Sequence, residues 1–167
     1  LGQLKAEHGV YFILGNHDKF VDTARTKMIL ASAGLVCVSG QCLEATWNGG
    51  PVVLAGNKRP WTDETGDWPD RAGEHPPLRI GLQHTPDQWH WSIENDVDLA
   101  LAGHTHGGQI CFPVLGAVAC PSLYGTRYAA GVFREGDSVM HVTRGLSGRT
   151  PLRWLCPPEI AVLELVA

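Results

Sequence analysis

Three short apolar runs in this chain each stop at a histidine, and this repetition limits the possible folds more than any other feature. Leu99-Ala-Leu-Ala102 runs into Gly103-His104-Thr105-His106-Gly107-Gly108. The run at 9–14 is stopped by Gly15-Asn16-His17-Asp18, and the run at 79–83 by His84-Thr85-Pro86-Asp87. Apolar runs of this length, bounded by turn residues, read as strands buried on both faces. Ligands and catalytic groups gather at such strand ends in α/β proteins. One histidine there is usually a satisfied loop residue, whereas three predict a metal or catalytic cluster. In an extended stretch alternate side chains share a face, so His104 and His106 are expected on one side with Cα atoms roughly 6.5–7 Å apart. That spacing suits imidazoles serving two metal ions about 3.5–4 Å apart. The alternative is a pair of surface histidines in a glycine-rich turn, where Gly103, Gly107 and Gly108 simply let the chain reverse.

The remaining pattern alternates strands with few helices, an α/β (α+β) arrangement in a single domain over 1–167. Residues 19–33 have apolar side chains spaced for a helix, with Asp18 as a candidate cap and Gly34 as its stop. Short strands are expected near 35–38, 43–47 and 52–55. Residues 57–77 hold four prolines, two glycines, Trp61 and Trp68 among charges, and read as a loop. Pro86 suits the first position of a short helix over 86–93. Residues 131–134 and 138–143 read as a hairpin, and 159–166 as a final strand.

Composition narrows the function. At 167 residues the chain is long enough for one substantial core. A net charge of −4 gives no basis for nucleic-acid binding. No apolar run approaches the ~18 residues of a membrane span. Five cysteines cannot all pair internally and none forms a C-x-x-C, so they read as thiols in a reducing compartment and not as zinc ligands. Cys37 and Cys42 flank Gly40 in a turn where a bridge is sterically allowed.

The motifs "GNHD" (15–18), "HTPD" (84–87) and "GHTHGGQI" (103–110) resemble the later motifs of the calcineurin-like metallophosphoesterases, hydrolases with two metal ions. The closing stretch "VTRGLSGRTPLRWLCPPEIAVLEL" is similar to the end of a bacterial phosphodiesterase-like branch carrying "GHTHGGQ". The likeness runs from about Gly9 to the C-terminus and is loose over 36–78. The family pattern opens with Asp-x-His and Gly-Asp-x-x-Asp, neither of which occurs before Gly15. The resemblance therefore implies the C-terminal portion of a metallophosphoesterase domain: a β-sandwich flanked by helices, its N-terminal part missing and the two opening motifs expected upstream.

The resemblance also implies roles. Asn16, His84 and His104 would bind the second of two divalent ions (manganese, iron or zinc) and His106 the first, with the bridging aspartate in the absent segment. His17 would donate a proton to the leaving group, and Asp18 would orient its ring. The implied reaction is hydrolysis of a phosphodiester or phosphomonoester by a water that the two metals activate. The alternative is a non-catalytic or inactive fragment that keeps a partial metal site. A lipid or peripheral-membrane substrate is left open, and so is the compartment, cytoplasmic or membrane-associated in a bacterium. Plainer readings stand beside these: Asn16 as a turn former, Asp87 as a first-turn helix residue, and His8, His75, His90 and His141 as solvent or packing residues. Gln109 is a candidate polar contact in the site. Arg127, Arg144 and Arg149 read either as phosphate holders or as surface charge. Related branches carry Gly-x-Asp-Asp where this chain reads Gly56-Asn57-Lys58-Arg59-Pro60-Trp61, an exchange of acid for base that bears on substrate choice.

Overall fold

The computed structural model describes residues 2–57, 67–71, 75–148 and 150–166. The chain runs β1 (Val10–Phe12), α1 (Thr23–Ser32), β2 (Leu35–Cys37), β3 (Cys42–Trp47), β4 (Gly50–Asn57), β5 (Leu78–Gln83), α2 (Trp89–Glu94), β6 (Leu99–Ala102), β7 (Cys111–Phe112), β8 (Gly116–Ala117), β9 (Gly131–Glu135) and β10 (Ser138–Val142). Six strands form one sheet in the order β3-β4-β5-β6-β10-β9. Its centre, β4 through β10, is parallel, while β3 and β9 close the edges antiparallel. Parallel strands must be covered on both faces, which is why these runs are apolar throughout instead of alternating.

The period of two assigns each side chain to a layer. Val52, Leu54 and Ile80 face one side, where Val38 joins them in a buried cluster and Tyr11 and Ile13 of the β1 segment pack on top. Ala100, Ala102, Met140 and Val142 face the other side, against Trp89, Trp91 and Val97 of the α2 region and Tyr128. β1 and β2 pair parallel as a separate two-stranded layer. That layer is joined to the main sheet where Gly40 donates to the Gly56 carbonyl at 2.7 Å and Gly56 to the Gln41 carbonyl at 3.0 Å. Mixed α/β architecture with few helices is thus what the chain adopts.

Several local expectations change. The helix expected over 19–33 divides into a 3-10 turn, Asp18–Phe20, and α1. Asp22, not Asp18, caps α1, its side chain accepting from the Arg25 amide at 2.9 Å. Gly34 follows with φ +86°, the left-handed turn that ends the helix. No residue of α1 is buried, so its apolar side chains do not form the core-facing stripe expected of them. The strand expected over 159–166 makes no ladder. The segment instead crosses the first sheet face, beginning where Glu159 donates its amide to Gly145 at 3.0 Å. With β1 it walls a 480 Å³ groove lined by Tyr11, Ile13, Leu101, Ile160 and Leu163. Alternation marked it as extended, but its contacts are made by side chains across a sheet face and not by a free sheet edge. The hairpin forms as β9 and β10, with Gly136 left-handed in its turn. Of the expected loop, Trp68 packs on Arg79 and Trp91, while Lys58, Arg59, Pro60 and Trp61 lie outside the described residues. All five cysteines are free thiols, Cys37 and Cys42 included. Among the described residues no helix is long and apolar enough to cross a membrane.

The Gly56 junction generates a stability prediction. A Cβ there would lie 2.1 Å from the Val38 carbonyl oxygen, which is backbone and cannot swing away. Gly56→Ala is expected to lower the unfolding free energy by ~1–3 kcal/mol. Gly50, where an added Cβ meets its nearest atom at 3.7 Å, is the control. Urea melts of Gly56→Ala and Gly50→Ala check this, and equal midpoints would contradict it.

Candidate metal centre

Parallel pairing of β5 with β6 places their C-terminal ends side by side, with Leu82 level with Leu101. The pairing continues one step further as the Gly103 amide donates to the His84 carbonyl at 3.2 Å. His84 and His104 therefore leave the sheet together, and their rings lie 4.7 Å apart at a 55° tilt. The turn after β1 supplies the third group. Asn16 Oδ1 sits 2.9 Å from His84 Nε2. Gly15 makes that approach possible, since a Cβ on it would fall 2.5 Å from the His84 ring.

Asp18 makes its carboxylate hydrogen bond to the backbone of its own turn. Its carboxylate accepts from the Gly15 amide at 2.6 Å, while its own amide donates to the Gly15 carbonyl at 3.2 Å. This closes a turn that presents Asn16 and His17 at its crest. A carboxylate one residue from His17 is better placed to reach back along the turn than to meet the neighbouring ring. His17 is exposed, edge-on to Phe20 at 6.5 Å.

The His104–His106 segment is not extended, so alternation does not explain its geometry. His104 (φ +70°), His106 (φ +53°) and Gln109 (φ +57°) are all left-handed, as are Gly107 and Gly108, and His106–Gly108 forms a 3-10 turn. Left-handed backbone at non-glycine residues is costly and persists only where the surroundings hold it. Here buried Thr105 anchors the bend by donating to the Ala129 carbonyl at 2.7 Å. The His104 ring faces the Pro121 carbonyl and the His106 ring that of Ser147, and each carbonyl favours a proton on the nitrogen nearest it. Fixing one ring nitrogen on a carbonyl leaves the other aimed and unprotonated, the arrangement of metal-ligating histidines.

Burial is the main reason these rings stay neutral. It pushes the His84 pKa down to about 4, helped by His104, then His106 and His17. His104 is lowered by burial against an opposing pull from Asp87, and His106 by burial against its Ser147 bond. Neutral imidazoles and an amide oxygen are the donors a borderline divalent cation accepts. The 2.9 Å between Asn16 Oδ1 and His84 Nε2 also matches the roughly 3 Å between adjacent ligands that each sit ~2.1 Å from one ion. The donor set therefore fits one cation in part. Among the described residues no three His, Cys, Asp or Glu side chains converge as a metal-binding group.

Two supporting residues escaped sequence reasoning. Asp87 is more than a first-turn residue: its carboxylate takes the Ser122 hydroxyl and the Leu123 amide, fixing the loop whose Pro121 carbonyl holds His104. Arg153 donates to the carbonyls of His106 (3.2 Å), Cys156 (3.3 Å), Arg144 (2.8 Å), Gly145 (3.3 Å) and Ser147. It fastens the histidine loop to the turn that holds the His106 ring. Asp87 closes the HTPD motif and Arg153 lies in the closing stretch, but only the folded chain brings their partners near. Other candidates point elsewhere. The Gln109 amide bonds to the Thr150 and Leu152 carbonyls, both at 3.0 Å. Arg144 pairs with Glu159 at 3.4 Å and Arg127 stacks on Tyr128, while Arg149 lies outside the described residues. His8 stacks on Trp47 and His90 pairs with Glu94, as plain surface roles require.

The family model for the calcineurin-like phosphoesterases matches residues 1–108. The phosphodiesterase YaeI of Escherichia coli is 34% identical over 91% of this chain and 56% of its own length. The uncharacterized metallophosphoesterase YkuE of Bacillus subtilis is 35% identical over 99% of this chain and 59% of its own. The UDP-2,3-diacylglucosamine pyrophosphatase LpxG of Chlamydia muridarum is 31% identical over 51% of this chain and 28% of its own. The chain thus spans somewhat over half the length of the first two relatives. No solved structure gives a significant match.

The low His84 pKa generates a pH prediction. The unfolded chain takes up a proton at this ring near 6.5, the folded chain only near 4. Stability is therefore fully present above 6.5 and falls as pH drops from 6.5 to 4, because only the unfolded state gains the proton. His84→Gln, which keeps an amide opposite Asn16, is expected to flatten that fall. Thermal melts in chelator at several pH values across this interval test it, and parallel curves for parent and variant would contradict it.

Proposed function

We propose that this chain, which belongs to the calcineurin-like phosphoesterase family, carries the metal-binding and proton-donating half of a phosphoester hydrolase centre. The single observation behind the reading is the convergence of Asn16 Oδ1, the His84 Nε2 atom 2.9 Å away and the His104 ring packed on His84. These three residues would hold one divalent cation and His106 a second, with manganese, iron or zinc suited to the imidazole and oxygen donors. When bound, such ions supply Lewis-acid polarisation of the phosphoryl oxygens and a water-derived nucleophile at neutral pH.

The chain's own residues account for the rest. Burial keeps the His84 and His104 lone pairs available at neutral pH. The Pro121 and Ser147 carbonyls favour a proton on the ring nitrogen that faces them in His104 and in His106. His17, one residue from Asn16 on the crest of the Gly15–Asp18 turn, is exposed and would pass a proton to the departing ester oxygen. The Asp18 bond to Gly15 acts on His17 through the backbone, by holding that turn. The names of two relatives, a phosphodiesterase and a diacylglucosamine nucleotide pyrophosphatase, support a substrate phosphate linked on two sides.

Metal analysis and kinetics on the full-length protein separate the roles. His104→Ala is expected to lose metal and activity together. His17→Ala is expected to keep its metal but turn over an aryl phosphodiester ~10²–10⁴-fold more slowly, the range for removing one acid–base group. Metal loss in His17→Ala, or an unchanged rate, would overturn the division. A parent protein that binds metal and hydrolyses no phosphoester would favour the non-catalytic reading.

A further inference from the structure

The stretch after His106 has a composition unlike the rest of the chain. Residues 107–126 include no Asp, Glu, Lys, Arg or His, in a sequence that is 18% charged without counting histidine. Within it β7 and β8 pair antiparallel, with Cys111 opposite Ala117 and Phe112 opposite Gly116. The tip between them is Pro113-Val114-Leu115. Val114 is 106% exposed, Leu115 76% and Phe112 47%. Val114 also has φ +70°, a costly conformation for a β-branched residue, in a turn where Leu115 donates to the Pro113 carbonyl at 2.8 Å. The strand alongside adds an indole: Trp154 is 56% exposed, its carbonyl accepting from Cys111 and its amide donating to Gln109, both at 2.9 Å. Exposed Arg127 ends the uncharged run.

This hairpin is fused to the candidate site. A Cβ on Gly108 would meet Ala117 at 2.6 Å and the Ala119 carbonyl at 2.8 Å, so loop and hairpin pack without a gap. Cys111 donates its thiol to the Gly107 carbonyl at 3.4 Å, and the Pro121 carbonyl beyond β8 holds the His104 ring. The hairpin and the histidine loop therefore move as one body.

We propose that the Pro113–Leu115 tip inserts into the hydrocarbon surface of a lipid bilayer and holds the histidine site at headgroup level, making the substrate an amphiphilic phosphoester embedded in that bilayer. The substrate half of this proposal rests on the phosphoesterase reading, and the docking half does not. An uncharged projection suits a solvent with no ionic partners to offer, and the exposed Trp154 indole on the segment paired with Cys111 suits the membrane–water boundary. A second copy of the chain is a poorer fit. Three side chains on a projecting tip present on the order of a few hundred Å², below the ~800 Å² per partner of a stable interface. The net charge of −4 means apolar burial, not attraction to anionic lipid, must supply the affinity.

Sedimentation with phosphatidylethanolamine–phosphatidylglycerol vesicles tests the docking. The full-length parent protein is expected to pellet with vesicles in low and high salt alike. The double variant V114D/L115D is expected to lose partitioning by roughly tenfold or more, and the milder V114S/L115S to fall between them. Unchanged melting temperatures in both variants establish that they fold. A parent that stays in the supernatant, or aspartates that bind as well as the parent, would overturn the proposal. So would a parent dimer that the aspartates dissociate without any vesicle binding. In the full-length protein, V114S/L115S should leave turnover of a soluble aryl phosphodiester within about twofold and slow that of a vesicle-embedded phosphoester by roughly tenfold. If vesicles bind but neither substrate is hydrolysed, the phosphoesterase reading fails and docking stands. If the soluble ester is hydrolysed and vesicles are ignored, docking fails alone.

Discussion

The hydrogen bond from the Gly103 amide to the His84 carbonyl carries the β5–β6 pairing one residue beyond the strands, and the rest of the site depends on it. It fixes how far His84 and His104 stand from each other before either side chain makes a contact. Parallel pairing is what allows this, because both strands then end at the same edge of the sheet. The covering layer adds the third group from above. β1 packs on the β4–β5 face, and its following turn delivers Asn16 to the His84 ring. A site built this way has members from three separate parts of the chain, yet no member is placed by a flexible loop alone.

Holding the loop costs free energy locally. Three non-glycine residues between 104 and 109 have left-handed backbone, each a conformation worth of order 1–3 kcal/mol when unsupported. The support is visible as hydrogen bonds: Thr105 to the Ala129 carbonyl and Arg153 to the His106 carbonyl. Arg153 is the most economical of these, since one guanidinium satisfies carbonyls on both the histidine loop and the 144–147 turn. Its planar fork suits several acceptors at once in a way an ammonium does not.

What was legible in the sequence was which strand ends bring their histidines together and not the geometry of the cluster. Apolar runs that stop at Gly15, His84 and Gly103 mark strand ends, because a parallel strand needs apolar side chains on both faces and a turn does not. The His104–His106 spacing misled because residue type does not reveal left-handed φ at a histidine. Asp18 and Asp22 are both suitable caps by type, and only the break after Phe20 decides between them. Glu159 begins an apolar alternation that looks like a strand, yet its carboxylate accepts from Thr143 and Arg144 and turns the segment across the sheet. Asp87 and Arg153 act on partners 35 and 47 residues away, a distance at which local pattern carries no signal.

The electrostatics of the cluster explain why these supports matter. His84 feels three other imidazoles, and every one of them disfavours its protonation. Asp87 pulls the other way on His104 alone, and its carboxylate is already engaged by Ser122 and Leu123. A group of rings with so little carboxylate support cannot carry several protons at once, so at neutral pH it presents lone pairs instead of charge. That makes the cluster attractive to a divalent cation and unattractive to a proton. The same burial that keeps the rings neutral weakens any ligand left misaimed, since a buried donor without a partner is expensive. Aim must therefore be set by the backbone and its carbonyls in advance, which is the role the Pro121 and Ser147 bonds fill.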